Sequence, residues 1–198
     1  AAEAYAEALR LKPQSAQAYT NLGIVREEMD DLSGARDAYE HALRADPSAP
    51  TAMWNLALLL ERTGHPEDAE HFYLKLLDKD RQESEAAFRL GCLRLGRDDH
   101  GGALEAFETC LKRRPDWPEA RANLALAASR AGERDRAQSI YEEMLDNDPR
   151  SMEALRGLAA VALEAEDFST ALEYHVRLID LGERSVEILY NAGLLYQK

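Results

Sequence analysis

From Ala16 onward the chain alternates short apolar stripes with polar breaks. Read at helical spacing, Ala18, Tyr19, Leu22, Gly23, Val25 and Met29 fall on one side of a helix. The polar pair Asp30-Asp31 interrupts that pattern, and Ala35, Ala38, Tyr39, Ala42 and Leu43 then form a second stripe. Asp46-Pro47 closes it, because proline has no N–H to donate and its ring collides with the preceding turn. The pattern predicts two helices of about a dozen residues joined by a tight turn, too short to be stable alone in water. Each stripe therefore needs a neighbour to cover it.

The neighbours carry the same pattern. Displacing the stretch by 34 residues aligns it with the rest of the chain without a gap. With Ala16 as position 1, position 8 reads Gly23, Ala57, Gly91, Ala125, Ala159 and Gly193, and position 20 reads Ala1, Ala35, Ala69, Ala103, Ala137 and Ala171. Small side chains recur where two helix axes must approach closely. Larger residues recur beside them: Leu22, Leu56, Leu90, Leu124 and Leu158 at position 7, and Tyr5, Tyr39, Tyr73, Phe107, Tyr141 and His175 at position 24. The spacing predicts full repeats at 16–49, 50–83, 84–117, 118–151 and 152–185, with half repeats at 1–15 and 186–198, in a single domain.

This recurrence resembles the tetratricopeptide repeat (TPR) family, whose unit is a 34-residue helix–turn–helix. The resemblance implies an all-α fold: a right-handed superhelical solenoid of stacked antiparallel helix pairs. Local departures exist. The family's tyrosine at position 11 survives only as Tyr196, with Arg26, Leu60, Arg94, Ala128 and Ala162 elsewhere. Arg81 and Glu183 replace the closing proline, so the turns there are expected to loosen or to continue a helical turn. Asp30, Gly64, Asp98 and Gly132 mark the breaks within repeats, and Pro50 and Pro118 stand at position 1, where a helix's first N–H has no internal partner. Gly96 to Gly102, with three glycines, reads as the most flexible loop; no strand precedes it, so it is not a phosphate cradle.

Composition narrows the function. The chain of 198 residues is 45% hydrophobic but has no apolar run long enough to cross a membrane. Its N-terminus lacks the order of a signal peptide, and both ends read as cuts through a longer array. A net charge of −13 opposes a phosphate backbone and an anionic membrane surface, so neither nucleic acid nor membrane insertion is expected. Cys110 reads as a small core residue; a disulfide to Cys92 stays open. No GxSxG, phosphate loop, HExxH or paired CxxC is present, and the five histidines are scattered, His175 at an aromatic core position. The segment reads as non-enzymatic, with no metal and no cofactor.

The resemblance also places positions 2, 5, 6, 9, 12 and 13 on a concave groove. Position 6 carries Asn21, Asn55, Asn123 and Asn191, with Arg89 and Gly157 between them. A primary amide both donates and accepts, so a ladder of asparagines can grip an extended peptide regardless of its sequence. Trp54, Leu58, Phe88 and Leu126 flank the ladder, and Arg62 and Arg89 relieve its acidity. The expected contact residues are thus Asn21, Trp54, Asn55, Leu58, Arg62, Phe88, Arg89, Asn123, Leu126 and Asn191. Two blander readings stand beside this one: asparagine is the family's usual residue at position 6, and Trp54 and Phe88 could pack between repeats. Glu85, Glu119, Glu153 and Glu187, in first helical turns, read as helix stabilisers. The clamp that some family members use for a C-terminal carboxylate is not expected, because Glu85 would repel it. The expected function is binding of a peptide or partner helix. The alternatives are a substrate-docking arm of a larger enzyme, such as a transferase, and a scaffold that self-associates end to end through 1–15 and 186–198.

Overall fold

The computed structural model describes residues 2–78 and 84–197, without the side chains of Ala2, Glu3, Ala6 and Ala8. Arg81 lies outside the described residues. Twelve α-helices and no strands occur among those described. They are α1 (Ala2–Leu11), α2 (Ala16–Glu28), α3 (Leu32–Ala45), α4 (Pro50–Arg62), α5 (Pro66–Asp78), α6 (Ser84–Gly96), α7 (His100–Arg113), α8 (Pro118–Arg130), α9 (Arg134–Asn147), α10 (Met152–Glu164), α11 (Phe168–Asp180) and α12 (Val186–Leu195). The helices that open each pair begin at residues 16, 50, 84, 118, 152 and 186, a constant stride.

The stride has local causes. Position 15 always adopts a left-handed backbone: Asp30 (φ 59°), Gly64 (79°), Asp98 (59°), Gly132 (81°) and Glu166 (57°). A single left-handed residue ends one helix and reverses the chain into the next. After three of these turns the next helix is capped by Asp31, Asp99 or Asp167, whose carboxylates accept from the backbone N–H of Gly34, Gly102 and Thr170. Each cap satisfies a donor that the first turn would otherwise leave unpaired.

One expectation fails here. Gly96 to Gly102 is not an extended loop: α6 runs through Gly96, and Gly101 and Gly102 lie in the first turn of α7. The Asp99 cap and the buried Ala103, Leu104 and Phe107 stabilise that helix against the glycines' low propensity. A Cβ at 102 would lie 2.3 Å from Asp99 Oδ2, so the capping carboxylate would have to shift to admit one. The turn at Glu183 neither loosens nor continues the helix; α11 stops at Asp180, Gly182 takes φ 98°, and Glu183 pairs with Arg156.

The chain divides into two compact units, residues 1–93 and 94–198. In the first, α1 packs on α2, α2 on α3, α3 on α4 and α4 on α5, and α2 also touches α4. In the second, each helix from α7 to α12 packs on its successor, and α8 also touches α10. Within each unit, then, helices that open successive pairs lie side by side. The small position 20 is fully buried throughout, at Ala35, Ala69, Ala103, Ala137 and Ala171. The position-24 rings Tyr39, Tyr73 and Phe107 are fully buried as well. Gly23 lies beneath Tyr39, where a Cβ would come within 2.3 Å of the ring.

Candidate partner-binding surface

In residues 1–93, α2, α4 and α6 supply the expected contact residues. Asn21, Trp54, Asn55, Leu58 and Phe88 are half-buried, while Arg62 and Arg89 are exposed. Several already have structural partners. Trp54 meets the edge of Tyr73 at 5.8 Å between centroids. Asn21 accepts a hydrogen bond from Gln17. The arginines belong to a repeated device that the sequence reading missed. Tyr39 donates to Glu27 at 2.6 Å, and Glu27 pairs with Arg62 at 3.3 Å. One repeat later Tyr73 donates to Glu61 at 2.8 Å, and Glu61 pairs with Arg89 at 3.3 Å.

Each triad ties three helices together and leaves that part of the wall nearly neutral. Burial raises both phenols well above their ordinary value, and the hydrogen bond to the glutamate adds to it. The tyrosines thus stay protonated donors. Burial likewise pushes up the Cys92 thiol, next to Arg89. The triads were legible only as a coincidence: glutamate stands at position 12 in the two repeats where tyrosine stands at position 24 and an arginine follows at position 13 or 6.

In residues 94–198 the wall differs. Leu95 replaces the glutamate and Phe107 the tyrosine, so no hydroxyl needs a partner. In the next repeat Tyr141 pairs with no glutamate at position 12, which is Ser129; its ring instead occupies the space above Gly157, where a Cβ would fall 2.2 Å from it. That packing explains why the asparagine ladder breaks at Gly157. Asn123 donates to the Glu119 carbonyl at 2.8 Å, Leu126 is exposed, and Asn191 on α12 is half-buried. Arg94, like Arg26 in the first unit, takes the family's tyrosine position and donates to a carbonyl in the next helix's first turn, at Gly102 and Gly34 respectively.

His175 is buried, with Nδ1 2.7 Å from the Ala171 carbonyl oxygen; Cys110 is buried, and Cys92 and Cys110 are not joined in a disulfide. Among the described residues no three His, Cys, Asp or Glu side chains gather to hold a metal, and no helix is long and apolar enough to cross a membrane.

Family models described as tetratricopeptide repeat match residues 1–50, 24–84 and 94–162. The chain belongs to the tetratricopeptide repeat family. TPR proteins are protein-interaction modules. No curated protein sequence matches the chain. Among solved structures it is similar to YrrB, described as a TPR protein with an unusual peptide-binding site, at 22% identity and a TM-score of 0.83, covering 96% of this chain and 98% of that one. It also resembles a tetratricopeptide repeat protein from Parabacteroides merdae, at 22% identity and a TM-score of 0.70, covering 99% and 78%. Yeast Tom70 matches 99% of this chain over 42% of its own, at 20% identity and a TM-score of 0.63. At these identities the likeness concerns the all-α TPR fold.

Proposed function

We propose that the chain is a non-catalytic TPR module whose opening helices hold a peptide segment or a partner helix. The observation that carries this reading is the side-by-side contact of α2 with α4 and of α8 with α10, which makes one wall in each unit from half-buried amides and apolar side chains. Asn21, Trp54, Asn55, Leu58, Arg62, Phe88 and Arg89 form the first patch; Asn123, Leu126 and Asn191 belong to the second unit. The amides already engaged keep capacity: Asn123 uses one of two N–H donors and neither oxygen lone pair in its bond to Glu119. The peptide-binding TPR protein YrrB, similar over nearly its whole length, supports the same reading.

The test is a paired capture with intact protein and the Asn55→Ala/Asn123→Ala variant, plus an outer-face control, Glu105→Ala. The reading expects partners held by the intact protein and the control to be lost from the double variant while its melting temperature stays within a few degrees. Undiminished capture by a folded double variant would refute the ladder.

Exposed Val186, Leu189, Tyr190 and Leu194 on α12, with Tyr196 at its C-cap, favour a second reading, self-association through this helix. Light scattering at rising concentration discriminates: a constant mass eliminates it, and a rising mass abolished by Tyr190→Glu supports it.

A further inference from the structure

A cavity of about 580 Å³ lies wholly within the second unit, between the start of α8, the end of α9 and the start of α10. That volume falls in the range of sites that enclose a small ligand or a few peptide residues. Its apolar surface comes from the buried Met144, from Ala122 and from Trp117. Four carboxylates line it, Asp116, Glu119, Asp148 and Glu153, against one guanidinium, Arg121. Arg121 is itself committed, donating to the Pro115 carbonyl at 2.8 Å and lying 3.8 Å from Glu143.

Trp117 bounds the cavity at the start of α8. It occupies the N-cap of α8 and makes no side-chain capping bond. The equivalent caps of α2, α10 and α12 are serines, Ser15, Ser151 and Ser185, each accepting from a backbone N–H of the first turn. A tryptophan there forgoes that cap, as Ala49 does at the start of α4. The same ring already stacks a guanidinium, with Arg114 4.5 Å from its centroid.

We propose that this cavity receives an arginine side chain, with an adjoining residue, from an extended segment of a partner polypeptide. This rests on the peptide-binding reading above and names the partner's chemistry. The arginine's methylenes lie along Met144, Ala122 and Trp117, while its head meets Glu119, Glu153 and Asp148. Arginine fits better than lysine because its planar fork engages carboxylates in pairs, stacks on an indole and gives up its hydration more readily. A phosphate chain is repelled by the same four carboxylates.

The experiment titrates the full chain with acetylated, amidated heptapeptides of alanine carrying two arginines, two lysines, two glutamates or two norleucines. The readout is the pair of indole N–H resonances, assigned with Trp117→Phe. The arginine peptide is expected to move the Trp117 resonance, the lysine peptide several-fold more weakly, and the glutamate and norleucine peptides not at all. Glu119→Gln/Glu153→Gln should weaken the arginine peptide at least tenfold. If that variant is poorly folded, raising salt to about 0.5 M with the intact protein should weaken binding comparably, since it screens exposed charges strongly. A still Trp117 resonance, equal response to norleucine, or binding indifferent to both the variant and salt overturns the proposal. Response of Trp54 alone overturns this pocket yet leaves the wall reading standing, whereas loss of that reading shows separately in the Asn55/Asn123 capture.

Discussion

An aromatic ring fills position 24 in both units, but its polar end is treated differently. In residues 1–93, Tyr39 and Tyr73 are anchored to Glu27 and Glu61, and those to Arg62 and Arg89. In residues 94–198, Phe107 dispenses with the hydroxyl and Tyr141 spends its ring on Gly157. The ring's volume is what the stack demands everywhere, because successive helix pairs leave the same hole. The hydroxyl is optional: at Tyr39 and Tyr73 a glutamate accepts from it, whereas Tyr141 keeps it with Ser129 at the glutamate's position. The first wall is thereby locked and nearly neutral, while the second unit gathers four carboxylates around a cavity, of which Asp148 accepts from the Arg150 N–H.

The comparison breaks first on volume. Tyr73→Ala and Phe107→Ala should each cost about 3–5 kcal/mol, by urea denaturation, because both rings are fully buried. A loss below about 1 kcal/mol for either would mean that the ring is not the filler. It sharpens on the hydroxyl. Phe107→Tyr should cost about 1–3 kcal/mol, since it buries an oxygen without a partner. Adding Leu95→Glu should recover at least about 1 kcal/mol of coupling, because Arg130 stands where Arg62 completes the triad in the first unit. Purely additive costs would show that the triad is not a transferable unit.

A smaller effect concerns the turns. Glu166 holds a left-handed backbone where two other repeats use glycine and two use aspartate. Glu166→Gly should stabilise by about 0.5–1 kcal/mol in thermal melts, because relief of the side chain's steric cost outweighs glycine's entropy. No gain, or a loss, would show that Glu166 is unstrained there.

The effect smallest at neutral pH is alkaline. The folded-state values of Tyr39 and Tyr73 lie above the unfolded phenol, raised by burial and then by their glutamates. Their contribution is therefore complete below about pH 10, the unfolded value, and is lost as pH rises beyond it. Stability measured from pH 9 upward should fall, and Tyr39→Phe/Tyr73→Phe should flatten that fall. An unchanged slope would detach the phenols from the loss.

Helix starts, the left-handed turns at Asp30, Gly64, Asp98 and Gly132, and the buried His175 were legible because each follows from a residue type at a fixed repeat position. Glu27 and Glu61 were not. A carboxylate twelve residues from its tyrosine and in another repeat from its arginine reads as one more solvated acid in an acidic chain. Gly101 and Gly102 misled for the opposite reason, since intrinsic propensity lost to the Asp99 cap and to packing around Phe107. Trp117 was visible only as a residue, because its significance depends on a cavity assembled from three helix ends. Of the expected contact residues, Leu58 is half-buried on α4 and Leu126 exposed on α8. Arg62 and Arg89 also carry ion pairs to Glu27 and Glu61.

The claim that the opening helices hold the partner is tested most directly by hydrogen–deuterium exchange on the chain with and without a captured partner. Added protection should fall on backbone amides of α4 around Trp54 to Leu58 and of α8 around Asn123 to Leu126, leaving α3, α5 and α9 unchanged. Protection confined to α3, α5 and α9, with α4 and α8 exchanging as before, would contradict it.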